Sequence, residues 1–307
     1  MRTISLSGGG VSGTASIPDS VVYAFNPNYV TISVGGFTGI LKLAVSDGSK
    51  SFDIDVTVFK GSAKVYISRL LQILFDNYVS VRSKSVTLTL STDDGTAIGS
   101  GSMTVLWAAL EAGMTYGYYL PIASDVNWAG RAIREIVWFK NLPQVVSVFS
   151  GSAIVDKSPA SVSEANIRLI PCTDMEGTYL RWIDCYGFWQ YYLFDTGQRQ
   201  SKNKLSNIAI DAEYSIGGVS HQAQRNIHVE NADTIKCCAV NMKKEVLAYV
   251  ETIYKSPHIE MYVGKVGGTE VWKPVNITAG TADVHPDNKL FDYEISFTLP
   301  ETQVQTI

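Results

Sequence analysis

The chain has 307 residues, 46% of them hydrophobic and 18% charged, and its 25 basic and 29 acidic side chains leave a formal net charge of −4. The hydrophobic share supports true cores, the length suits one large domain or roughly two or three ordinary ones, and the low charge suits a surface covered by neighbours. The acidic balance speaks against a general nucleic-acid binder, because neutralising phosphates needs a basic excess. No run of about 18 apolar residues is present, so neither a membrane-spanning helix nor membrane insertion is expected.

The first 16 residues are rich in Gly and Ser and poor in apolar groups. They read as a flexible arm that a partner would order. No apolar run of signal-peptide length begins the chain, which predicts synthesis in a cytosol. Strands are predicted over Tyr29 to Val34, Gly39 to Val45 and Phe52 to Phe59, with a hairpin turn at Ser46-Asp47-Gly48-Ser49. In the last of these Phe52, Ile54, Val56 and Val58 alternate with Asp53, Asp55 and Thr57, the mark of a strand with one wet face. A helix capped by Ser62 would place Tyr66, Leu70, Ile73 and Leu74 on one side. Val86 to Leu90 alternates again, Asp93-Asp94-Gly95 reads as a turn, and Met103 to Leu110 closes a first sandwich. Gly113 to Pro121 reads as a loop or linker.

A second block starts near Asn127, with strands over Arg134 to Lys140, Val145 to Phe149 and Asn166 to Ile170. The densest aromatic stretch follows, Tyr179 to Phe194. A turn at Asp184 to Gly187 would fold it into two paired strands, ending at Asp195-Thr196-Gly197. In the third block Asn241 can cap a helix carrying Met242, Val246, Tyr249, Val250 and Ile253 as an apolar stripe. Ser256-Pro257 stops it. His258 to Val263 and Val271 to Ile277 then form a hairpin around Gly267-Gly268. Finally Phe291, Tyr293, Ile295, Phe297 and Leu299 alternate with polar residues, the strongest period of two in the chain. The resulting expectation is a mainly β (α+β) fold with few helices. It has an arm (1–16), a β-sandwich-like domain (17–125), a central β domain with the aromatic hairpin (126–230) and a helix packed on an antiparallel sheet (231–307). The last two could form one domain.

No motif assigns a reaction. Gly8-Gly9-Gly10-Val11-Ser12-Gly13 has the spacing of a dinucleotide loop, but the following residues contain Pro18 and no helical stripe, so no helix N-terminus would face a pyrophosphate. His221, His228, His258 and His285 lack metal-ligand spacing. Asp53 with Asp55, and Asp93 with Asp94, lack the further ligands of a calcium loop. Cys172, Cys185, Cys237 and Cys238 form no C-x-x-C pair and read as reduced thiols, with a Cys172–Cys185 disulfide as the alternative. No cofactor and no metal are expected. The aromatic stretch is the one pronounced feature. A strand exposes alternate residues on opposite faces, so aromatic groups on both faces require cover on both. Trp182, Tyr186, Phe188, Trp189, Tyr191 and Tyr192 are therefore candidates for subunit contacts as well as for the core, with a sugar-stacking platform as a further alternative.

Three stretches carry a family likeness: Ile136-Val137-Trp138-Phe139-Lys140-Asn141-Leu142-Pro143; Leu180-Arg181-Trp182-Ile183-Asp184 with Gly187-Phe188; and Trp272-Lys273-Pro274-Val275-Asn276-Ile277 through Leu299-Pro300-Glu301-Thr302-Gln303. They resemble proteins of tailed phages and prophages of Bacteroides-type bacteria, and the C-terminal plan resembles tail-tip and baseplate proteins such as distal tail proteins. The likeness covers mainly residues 130–307. It implies a non-enzymatic virion protein, a ring-forming homo-oligomer or adaptor that binds other tail and baseplate proteins. Two rivals belong to other classes: a carbohydrate- or cell-surface-binding β module stacking sugars on Trp182 and Trp189, and a hydrolase with a site assembled from distant residues.

Overall fold

A computed structural model describes residues 1–109, 123–128, 131–205, 209–226, 229–243, 246–247, 250–282 and 290–299. The fold is mainly β, as the alternating segments predict. Two compact units emerge, each built from separate segments: 1–120, 145–163 and 183–189 in the first; 121–144, 164–182 and 190–307 in the second. The first break, at residue 120, lies close to the boundary expected near 125, and no break falls near 230, in keeping with the alternative that the last two blocks form one domain; what the sequence did not predict is that residues 145–163 and 183–189 return to the first unit.

The chain opens with β1 (Arg2–Gly8), β2 (Val11–Ile17), β3 (Val21–Tyr23), β4 (Tyr29–Val34), β5 (Gly39–Ser46), β6 (Ser51–Val58) and β7 (Ser62–Tyr66). A short helix α1 (Ser68–Ile73) leads to β8 (Ser83–Thr92) and β9 (Ala97–Leu106). After β10 (Ala123–Trp128) and β11 (Arg131–Phe139) in the second unit, the chain returns for β12 (Val146–Ser150) and β13 (Ala153–Lys157). It continues through β14 (Ile167–Cys172), β15 (Thr178–Ile183), β16 (Trp189–Leu205), β17 (Ala209–Ile216), β18 (Val219–Asn226) and β19 (Val229–Lys243). The last strands are β20 (Ile259–Val266), β21 (Thr269–Pro274), β22 (Asn276–Ala282) and β23 (Leu290–Thr298).

In the first unit a four-stranded sheet, β1-β2-β4-β7, and a five-stranded sheet, β3-β9-β8-β5-β6, share one core. Period-2 alternation builds it: Leu41, Leu43 and Val45 from one sheet and Ala15, Val30 and Ile32 from the other are fully buried. Residues 1–16 are not a flexible arm. They form the hairpin of β1 and β2, paired from Arg2↔Ile17 to Gly8↔Val11, with Leu6, Val11 and Ala15 buried. Gly9 and Gly10 take φ of +56° and +77°, as a tight two-residue turn requires. A side chain at Gly13 would overlap the Ser33 carbonyl of β4, so this glycine serves close strand approach rather than freedom.

The helix expected from Ser62 is also shorter than its stripe implies. Ser62–Tyr66 alternates between exposed and half-buried and pairs with β4 as β7, leaving only Ser68–Ile73 helical. Tertiary pairing overrides a locally plausible helical period here. The turn expected at Asp47 does form. Asp47 Oδ1 accepts the backbone N–H of Ser49 at 2.9 Å and of Lys50 at 2.7 Å, and Oδ2 meets Lys84 Nζ at 2.6 Å. The Lys84 hydrogen bond, more than offsetting burial, holds this carboxyl down at about 2. A depressed carboxylate stabilises the fold above its unfolded pKa and loses that contribution as pH falls through the folded one. Stability from Asp47 should thus be complete above about pH 5 and fade toward pH 2, by on the order of 1–2 kcal/mol. Asp47→Asn should flatten that part of a pH-dependent urea titration.

The second unit is organised by a seven-stranded sheet, β21-β20-β15-β16-β19-β23-β22. Strands β21 and β22 are joined through Val275 alone, yet they lie at opposite edges, so the sheet must curl to bring its ends together there. The predicted single strand from Val271 to Ile277 is thus broken: Pro274 ends β21, and Val275 N–H donates to Ile259 O at 3.0 Å. Inside the curl Phe291, Tyr293, Ile295 and Phe297 are 5%, 2%, 0% and 0% exposed, which places all four on the single buried face that their alternation predicts. The apolar stripe reaches the same core by a different route. Asn241 does not cap a helix but sits in β19 at φ +57°, beside a register shift between Ala239 and Met242. Met242 belongs to the strand, and helical residues Val246, Leu247 and Val250 lead into a 3-10 turn at Glu251–Lys255. Leu247, Val250 and Ile253 pack in the core beneath β23; Tyr249 lies outside the described residues.

Candidate functional site

The aromatic stretch spans both units and is consumed by both cores. At its turn Asp184 Oδ1 accepts the N–H groups of Tyr186 and Phe188, each at 2.9 Å, which orders the reversal. Gly187 adopts φ +77°, and a Cβ there would press on the Trp107 carbonyl at 2.7 Å. Gly187→Ala should destabilise the first unit by about 1–3 kcal/mol, seen as a lower urea midpoint. Tyr186 and Phe188 pack with Tyr23, Leu106 and Ile154. Trp189 is 4% exposed; its N–H donates to Ser147 Oγ at 2.9 Å, and the Arg82 guanidinium lies 5.6 Å from its ring.

Beyond the turn, in the second unit, the strand period sorts the rings onto two faces. Leu180, Trp182, Tyr192 and Phe194 belong to the core inside the curl. Trp182 is fully buried, and its Nε1–H donates to Thr252 Oγ1 at 2.9 Å. Burial, helped by Asp195 and Cys172, pushes the Tyr192 phenol up to about 12. On the other face Tyr179 meets Phe139 at 5.3 Å, Trp272 at 5.8 Å and Tyr191 at 5.9 Å between ring centres. The Arg181 guanidinium lies 4.0 Å from the Trp272 ring centre and 2.5 Å from Glu260, whose other oxygen is 3.0 Å from His258 Nε2. Burial opposes ionisation of Glu260, but hydrogen bonds from His258 and Arg181 prevail and hold its carboxyl below the usual range. This array ties β15, β20 and β21 together. The charges are paired with one another, while the Trp272 indole N–H is buried without a hydrogen-bond partner among the described residues.

The six residues predicted as subunit contacts are therefore corrected as a group. Trp182, Tyr186, Phe188, Trp189 and Tyr191 are at most 9% exposed, and Tyr192 is half-buried against the core. Their own chain covers them, so the aromatic content reports packing. Trp182 and Trp189 likewise present no ring face to a sugar. The four cysteines are thiols, Cys172 and Cys185 included, and burial raises the thiols of Cys172, Cys237 and Cys238. Among the described residues no group of three His, Cys, Asp or Glu side chains is placed to hold a metal, and no helix is long and apolar enough to cross a membrane. His228 and His285 lie outside the described residues.

A further feature, without a local signal in the sequence, lies in the strands after the aromatic turn. Strand β16 does not stop at Asp195-Thr196-Gly197 but continues to Leu205, paired with β19 from Asp195↔Cys238 to Leu205↔Val229. Gly197 permits this, since a side chain there would overlap the Lys236 carbonyl of the partner strand. β23 pairs with β19 only from Thr234 onward, so among the described residues the stretch from Lys202↔Ala232 to Leu205↔Val229 proceeds as a two-stranded ribbon. Next in sequence comes the β17–β18 hairpin, eight pairs from Ala209↔Asn226 to Ile216↔Val219, turning on Gly217 and Gly218 at φ +63° and +82°. No other described strand joins that two-stranded sheet. Its register puts Ile210, Ala212, Tyr214 and Ile216 across from Arg225, Ala223, His221 and Val219, while Asp211, Glu213 and Ser215 oppose Gln224, Gln222 and Ser220. One face of the hairpin is thus mostly apolar in sequence and the other polar.

No family model matches this chain, and no curated protein and no solved structure matches it either.

Proposed function

We propose that the chain is a structural subunit of a phage tail or baseplate, acting by assembly as a ring-forming homo-oligomer or adaptor. The observation that carries this reading is the β-ribbon of β16–β19 and its β17–β18 hairpin. A two-stranded hairpin by itself is marginal in water, because it lacks a third strand or a packed layer to shield its face and edges. A protein that keeps eight residue pairs of such a hairpin, with a mostly apolar face, gains most if a neighbour completes it. The likeness of residues 130–307 to tail and baseplate proteins supplies the context of a virion, with neighbours that are further copies and other tail proteins.

The test is to trim the ribbon. Residues 203–231 are replaced by Asn-Gly, which joins Lys202 to Ala232, already opposite one another in register, by a two-residue turn. Full-length protein should form defined oligomers in sedimentation velocity and closed rings in negative-stain images. The trimmed protein should unfold at the same urea concentration, within about 0.5 kcal/mol, but sediment as a monomer. A full-length chain that stays monomeric across the accessible concentration range refutes the proposal.

A further inference from the structure

Sheet edges differ in how they are guarded. Natural proteins protect exposed edge strands with charges, proline or extreme shortness, because an open edge templates pairing with another chain. In the first unit β6 carries Asp53 and Asp55, β7 carries Lys64, β1 carries Arg2, and β3 is only three residues long. In the second unit β21 carries Glu270, Lys273 and Pro274, β14 carries Arg168 and Pro171, and β10 carries Asp125. Strand β22 has no charge and no proline, and its one irregularity is the register shift between Ile277 and Ala279; β12, equally uncharged, is largely buried. The seven residues of β22, Asn-Ile-Thr-Ala-Gly-Thr-Ala, are uncharged and mostly small, and Thr278, Ala279 and Gly280 are exposed. Among the described residues no strand pairs with its outer side.

We propose that β22 is the acceptor for the hairpin of a second copy of this chain, whose β18 strand adds to the open edge and extends the seven-stranded sheet. This rests on the assembly reading above and names the surface that receives the ribbon. Length fits: β18 has eight residues and β22 has seven. Charge selects the strand. Beside β22 lies β23, where the exposed Asp292 and Glu294 alternate with the buried core residues and Glu294 pairs with Thr281 of β22. Lys236 of β19 approaches Glu294 at 3.5 Å from the far side, and Asp292 accepts the Asn241 N–H, so this flank of the edge stays acidic on balance. Of the two hairpin strands, β17 carries Asp211 and Glu213, which would be repelled there, whereas β18 carries His221 and Arg225 and no acid. Tyr254 fills the space over Gly280 on the core side of β22, but Ala279 lies on the same side of the strand as Glu294 and is small enough for a long basic side chain to reach across toward the acids. Donor and acceptor are different surfaces, so the contact is heterologous and propagates around a ring, or along a filament when the rotation does not close.

The experiment uses the full chain, the trimmed chain and Ala279→Lys, which places a charge on the exposed edge without touching the core. Each variant alone should be monomeric in sedimentation velocity. Mixed together they should give a dimer and nothing larger, because the trimmed chain supplies only an acceptor and Ala279→Lys only a donor. Arg225→Glu should weaken association at least tenfold, and adding Glu294→Lys should restore most of it. Urea unfolding of every variant checks that the fold is kept. If trimming abolishes association while Ala279→Lys and the charge exchange leave it unchanged, the β22 site is wrong and assembly through the ribbon stands. If the trimmed chain associates as well as the full one, both readings fall.

Discussion

Replacing Asp156 by alanine should destabilise the first unit by about 2–4 kcal/mol, somewhat below the loss of one partner from a fully buried ion pair, because Arg82 is buried but the Asp156 side chain is 28% exposed. Arg82 has 2% of its side chain exposed, and its guanidinium meets Asp156 Oδ2 at 2.5 Å. The other Asp156 oxygen accepts from Ser147 Oγ at 2.7 Å, and Ser147 Oγ in turn accepts the Trp189 N–H. This polar node therefore fastens three separate chain segments of the unit to one another: β8 with its preceding loop, the β12–β13 pair, and the end of the aromatic turn. Without Asp156 the buried Arg82 charge loses its carboxylate, a cost that water entering at the partly exposed Asp156 position relieves only in part. The double variant Arg82→Met/Asp156→Leu should be markedly less destabilised than Asp156→Ala, because charge and countercharge leave together. Urea unfolding followed by tryptophan fluorescence measures both. A loss under about 1 kcal/mol for Asp156→Ala would show that the node is solvated in practice and not a fastening.

Replacing Trp182 by alanine should have a comparable effect in the second unit and also separates two meanings of the aromatic stretch. The side chain is fully buried among Leu180, Phe194 and Phe297, and its indole N–H is donated to Thr252. Truncation removes a large apolar volume that rigid strands cannot refill, and it leaves the Thr252 hydroxyl without this donor. A cost of about 3–5 kcal/mol is expected. Were Trp182 a subunit contact, the isolated chain would instead keep its stability and lose only association. Denaturation and sedimentation of the same preparation decide between the two.

Local pattern determined much of this protein. The alternation from Phe291 to Leu299 fixed the buried face of β23, and the alternation from Phe52 to Val58 did the same for β6. Asp47-Gly48 and Gly267-Gly268 marked hairpin turns correctly, because positive φ is cheap only at glycine and a few short polar residues. What the sequence by itself could not determine is which element covers which face. The Gly-rich start read as unstructured because Ser and Thr fill most of its outward positions. Yet Leu6, Val11 and Ala15 suffice once β4 lies alongside. The rings from Tyr179 to Phe194 announced that both faces needed cover, but the cover comes from the same chain at long sequence distance: Thr252 over Trp182, Ser147 and Arg82 around Trp189, Trp272 against Tyr179. The split of β21 from β22 across one residue is likewise invisible locally, since either strand alone looks like half of an ordinary hairpin. Periodicity encodes whether a face is buried. Strand order, and with it the uncharged outer edge of β22 and the β17–β18 hairpin that no other described strand joins, is settled only when distant strands compete for the same backbone hydrogen bonds.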